Sequence, residues 1–77
     1  MSQENTNRQI IGERLKELRL KKGLTQRVVA ENMGISKPIM SQYESGQRLP
    51  SVPKLIHLAN YYKVSLDYLC GRTEEER

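Results

Sequence analysis

Residues 24–46, LTQRVVAENMGISKPIMSQYESG, constrain this chain's fold more than any other stretch. Thr25 is placed to cap a helix, and Leu24 before it can staple onto Val29. Val29, Ala30 and Met33 share one face of that helix, and Gly34 ends it after two turns. Ile35 points back toward the same core. Ser36 caps a further helix at once, with Met40 and Tyr43 three residues apart on its inner face. A short helix, a glycine turn and a second helix form a helix-turn-helix unit. Counted from Gln26, apolar or small residues occupy positions 4, 5, 8, 9, 10, 15 and 18. A plain helical hairpin needs apolar positions but not this set of spacings; a DNA-binding unit needs both.

The flanking sequence continues in short helices. Ile11, Leu15 and Leu18 lie on one face of a first helix, which Lys21, Lys22 and Gly23 bring to a stop. Gly46 and Pro50 shape a loop. Ser51 caps a fourth helix with Leu55, Leu58, Ala59 and Tyr62 inward, and Ser65 caps a last one, LDYLC, closed by Gly71. Strand alternation is absent. The expected fold is all-α: a compact bundle of five short helices containing a helix-turn-helix. Residues 1–8 read as a flexible N-terminal arm, 9–71 as the domain, and 72–77 as an acidic flexible tail.

A chain of 77 residues makes one domain. Such a domain hides only about 60% of its unfolded surface, so a deep substrate pocket is hard to build. Phe and Trp are absent, which leaves the core to aliphatic residues and tyrosines. The lone cysteine, Cys70, cannot form an internal disulfide, which suits a reducing compartment. There is no apolar run of membrane-spanning length, and the polar start MSQENTNRQ is no signal peptide. The expectation is a cytoplasmic, nucleoid-associated protein. Residues 8–72 hold 12 basic and 5 acidic side chains, a balance of +7. A basic body suits a polyanion, either nucleic acid or an anionic membrane surface; on charge alone, a merely soluble surface serves equally well.

The constellations that would support catalysis are missing. His57 is the only histidine and has no second ligand at metal spacing. Cys70 has no partnering histidine nearby and reads as a small apolar filler. There is no glycine-rich phosphate loop. The expectation is a protein that is not an enzyme and carries no metal and no cofactor.

From Ile11 to Gly71 the chain resembles the phage repressor and Cro (XRE-like) DNA-binding family, through LTQ, GIS, YESG, PS and VSLDYL in succession. The resemblance implies a lambda-repressor-like bundle whose third helix enters the DNA major groove and reads bases with its first residues. Carried onto this sequence, the base contacts are Lys37, Pro38, Ser41 and Gln42. Lys37 can donate to guanine O6 and N7, and Gln42 suits adenine N6 and N7. Pro38 cannot donate; its ring suits a thymine methyl, or it simply stiffens the start of the helix, where a missing amide matters little. Gln26, Ser36, Ser45, Gln47 and Arg48 become phosphate contacts. Glu44 is implied to pair with Arg19 as a structural ion pair, costing about 3–5 kcal/mol if broken when buried and about 1 kcal/mol or less when exposed.

The function so implied is a sequence-specific transcriptional regulator of bacterial or phage origin, a repressor acting as a homodimer on a palindromic operator in double-stranded DNA. The last helix, around Leu66, Tyr68 and Leu69, is the implied dimer surface, although core packing explains those residues equally. Val28 departs from the family pattern. With Tyr61 and the acidic tail it leaves room for an alternative, an antitoxin-like or other protein-interaction module whose main partner is another protein.

Overall fold

The computed structural model describes residues 3–77, with side chains from residue 7 onward. Five helices follow in order: α1 Gln3–Lys21, α2 Gln26–Met33, α3 Lys37–Ser45, α4 Val52–Tyr62 and α5 Leu66–Leu69. No strand occurs among the described residues. α3 packs against both α1 and α2, and α5 sits between α1 and α4. No helix among the described residues is long and apolar enough to cross a membrane.

Four helices start on a hydroxyl cap. Thr25 Oγ1 accepts from Val28 N at 3.1 Å, Ser36 Oγ from Ile39 N at 3.3 Å, Ser51 Oγ from Lys54 N at 3.4 Å, and Ser65 Oγ from Tyr68 N at 3.0 Å. Each cap satisfies an amide that no helical carbonyl can reach, at about 1 kcal/mol. Gly34 closes α2 in the left-handed conformation at φ 71°, which lets Ile35 N return to Ala30 O at 3.0 Å. That tight reversal sets the angle between α2 and α3.

Every helix sends one side chain to the centre. Leu15, Val29, Met40, Leu58 and Leu69 are the fully buried large residues, one from each of α1 to α5. Burying each contributes roughly 1.5–3 kcal/mol. Removing any one helix would therefore open the same core to water. α1 and α3 approach closely at Gly12, where a Cβ would stand 2.6 Å from Glu44 O and 2.7 Å from Tyr43 O.

Helix and ion pairs reach into the segments read as an arm and a tail. α1 begins at Gln3, well inside the segment 1–8 read as loose. No proline or glycine precedes Gly12, so nothing halts the helix as it runs back through polar residues. Met1 and Ser2 of that arm lie outside the described residues. The tail lies along α1: Arg14 donates to Thr73 O at 2.6 Å and pairs with Glu74 at 2.9 Å, while Lys21 pairs with Glu76 at 3.1 Å. Ser65 N also donates to Glu76 O, at 2.6 Å. The acidic run stays largely solvated, with the Glu74 side chain 93% exposed, while two α1 cations pair with it.

Two further expectations change. Tyr68 and Leu69 belong to the core at 8% and 0% exposure, which leaves Leu66 as the outward apolar residue of α5. A helix of four residues has a single inner face, and the protomer uses it. Tyr61 is half-buried: its hydroxyl accepts from Asn32 Nδ2 at 2.9 Å, and its ring meets Tyr62 edge-on at 5.0 Å. It ties α2 to α4.

Candidate nucleic-acid interface

α3 divides cleanly by exposure. Met40, Tyr43 and Glu44 are buried, whereas Lys37 and Pro38 are exposed and Ser41 and Gln42 half-buried. The four residues expected to contact bases therefore share the outward side of one helix. Pro38 occupies the first turn, where its missing N–H leaves no broken helical bond. Ser36 lends its oxygen to the cap and keeps a hydroxyl proton that can still be donated.

Beneath this face lies a fixed charge network. Arg19 Nε donates to Glu44 Oε2 at 2.7 Å and Arg19 Nη2 to Glu44 Oε1 at 3.1 Å, a two-point grip between α1 and α3. Arg19 Nη1 also donates to Leu24 O at 2.8 Å and so anchors the turn before α2. The hydrogen bond to Glu44 raises the Arg19 pKa above its ordinary value, against the opposing effect of burial. Gln26 Nε2 donates to Glu44 Oε1 at 3.0 Å. Glu44 thus carries its negative charge inside, matched by Arg19, rather than on the surface.

Gln26 is thereby placed at the seam of α2 and α3. One amide proton is held by Glu44, and its second remains available to a phosphate. The first-turn amides of Gln26 and Arg27 have no helical carbonyl to meet and are not taken by the Thr25 cap, which adds donors at the same point. Beyond α3, Ser45, Gln47 and Arg48 are exposed. Their loop folds over the C-terminal end of α3: Gln47 N and Arg48 N donate to Gln42 O at 3.0 and 3.2 Å, and Ser45 Oγ donates to the same oxygen at 3.2 Å.

Two cations join the site that the sequence did not single out. Lys16 lines a shallow depression with Gln26, Ser41, Glu44 and Ser45. Arg27 borders a wider groove with Gln26, Leu20, Gly23 and Lys37. Lys16 stands on the first helix, and only the α1–α3 packing brings it beside Ser41. Arg27 follows Gln26 directly, and its position in the first turn of α2 was a signal in the sequence. Among the described residues, no group of three or more His, Cys, Asp or Glu is placed to hold a metal.

A helix-turn-helix family model matches residues 15–69, which contain α2, the turn and α3 entire. The chain belongs to the helix-turn-helix family. Its relatives include the HTH-type transcriptional regulator ImmR of Bacillus subtilis, 45% identical over 64 residues, covering 83% of this chain and 50% of ImmR. The cryptic phage CTXphi transcriptional repressor RstR of Vibrio cholerae is 40% identical over 62 residues, covering 80% of this chain and 55% of RstR. The helix-turn-helix chain thus spans about half the length of these curated relatives. Among solved structures, the restriction-modification controller protein C.AhdI from Aeromonas hydrophila superposes with a TM-score of 0.75 at 31% identity. The match covers 83% of this chain and 97% of C.AhdI.

Proposed function

We propose that this helix-turn-helix domain is a sequence-specific DNA-binding transcriptional regulator, a repressor, that presents α3 to the major groove. The observation that carries the reading is the outward face of α3: Lys37, Pro38, Ser41 and Gln42 face out while the helix's one acid, Glu44, is buried against Arg19. A surface meant for base edges needs donors and apolar contacts, and it must keep carboxylates from phosphates. Lys37 serves guanine and the ring of Pro38 a thymine methyl. Gln26, Ser36, Ser45, Gln47 and Arg48 hold the flanking backbone, joined by Lys16 and Arg27. The names of ImmR and RstR, a regulator and a repressor, agree with this use.

The domain acts by binding and catalyses no reaction. It works in the cytoplasm as a homodimer, with half-sites about 34 Å apart on a palindrome. Leu66, 37% exposed, is the apolar α5 residue free to meet a second copy. Of the three features the protein-interaction alternative would use, Tyr61 and the acidic tail have partners within the chain and only Val28, 41% exposed, stands open.

Selection of bound sequences from a random DNA pool tests the proposal. It should return a palindrome with a fixed spacing. A pool left without enrichment would overturn the reading.

A further inference from the structure

Gln42 lies on the outer side of α3, and its side chain is held. Arg48 Nε donates to Gln42 Oε1 at 2.9 Å. A guanidinium carries donors only, so the amide must turn its oxygen toward the arginine, and its amino group then points the other way. The backbone fixes the same register, since Gln47 N, Arg48 N and Ser45 Oγ all converge on Gln42 O. The loop bearing Arg48 is thus fastened to the residue whose side chain Arg48 grips.

We infer that Arg48 is a positioning residue for Gln42, and that together they make Gln42 a hydrogen-bond donor selecting guanine rather than adenine. The inference rests on the DNA-binding reading above. A glutamine reading adenine donates to N7 and accepts from the N6 amino group, so it needs its oxygen toward the base. Here that oxygen is turned to Arg48, and the adjacent positive charge repels an approaching amino proton. Guanine offers O6 and N7, both acceptors, to the two protons of Nε2. The Nη1 and Nη2 amines of Arg48, on an exposed side chain, can meanwhile meet a phosphate. One arginine then joins backbone contact to base choice. This reverses the adenine expectation for Gln42 and gives Arg48 a part in specificity.

The test compares the full chain with Gln42→Ala, Arg48→Ala and the double variant on duplexes varied one base pair at a time. The position that Gln42 reads is the one where Gln42→Ala flattens the base preference. Wild type should favour guanine there. Arg48→Ala should move the guanine-to-adenine ratio toward adenine by about tenfold, leaving other positions unchanged. In the Gln42→Ala background, Arg48→Ala should lower affinity without altering any base ratio. If Arg48→Ala weakens all duplexes equally and leaves that ratio alone, Arg48 is a phosphate contact only and the inference fails. A wild-type preference for adenine overturns it as well. A wild type with no base preference anywhere would instead bring down the DNA-binding reading, and this inference with it.

Discussion

Arg19 and Glu44, 25 residues apart in sequence, meet through two hydrogen bonds of 2.7 and 3.1 Å between α1 and α3. Their side chains are only 11% and 3% exposed. This places the pair in the buried class, where removing one partner strands the other charge. Glu44→Ala should therefore destabilise folding by about 3–5 kcal/mol in urea titrations. Replacing both, as Arg19→Met with Glu44→Leu, should cost far less, because no charge is left unpaired. Equal losses in the single and double variants would show that the pair acts through packing alone.

Gly12 sits where α1 crosses the backbone of α3. Helix propensity favours alanine there by roughly 0.5–1 kcal/mol. The crossing decides otherwise, since a Cβ would meet carbonyl oxygens of Tyr43 and Glu44 at 2.7 and 2.6 Å, and backbone cannot swing aside as a side chain can. Gly12→Ala should lower stability by about 1–3 kcal/mol, measured by thermal or urea unfolding. An unchanged or raised midpoint would mean that the two helices stand further apart.

Tyr62 is 3% exposed, and its hydroxyl has no hydrogen-bond partner. Burial, followed by the nearby charge of Glu44, raises its pKa well above 10.0. The folded state therefore keeps the phenolic proton that the unfolded chain begins to release near pH 10.0. The cost of keeping that proton is therefore absent below that pH and grows as the pH rises further, so stability falls on the alkaline side. Tyr62→Phe should flatten this alkaline decline and add about 1 kcal/mol at neutral pH by removing a stranded hydroxyl. Unfolding curves from pH 7 to 11 would check both effects; a marked loss at neutral pH would show that the hydroxyl is bonded after all.

Phosphate contact makes affinity depend on salt. If a dimer meets about eight phosphates, log K should fall against log salt with a slope near −7. Lys16→Ala should reduce the magnitude of that slope by about 1 for each phosphate it releases, without reordering the preferred sequences. A slope untouched by Lys16→Ala would take this lysine off the interface.

Much of the fold was legible because the signals were local. Thr25, Ser36, Ser51 and Ser65 announce helix starts through their hydroxyls, and Gly34 announces a stop through its left-handed backbone. The inner faces of α2, α3 and α4 follow from helical spacing. What escaped depends on packing between elements distant in sequence. Gly12 has no local role; its demand arises only against α3. Lys16 looks like any solvated lysine until α1 lies beside Ser41. Tyr61 and the acidic tail looked free because their partners, Asn32, Arg14 and Lys21, are 29 to 60 residues away. The hold of Arg48 on Gln42 spans six residues across a helix end, where no periodic rule applies.

The outer side of α3, bearing Lys37 and Gln42, is the surface proposed to meet DNA. Titrating the isotope-labelled chain with its selected duplex and following backbone amide shifts by NMR tests this most directly. The largest shifts should fall within residues 36–48 and at Gln26 and Arg27, with α4 little changed. Shifts centred on Val28 and α4, with residues 36–48 unmoved, would contradict it.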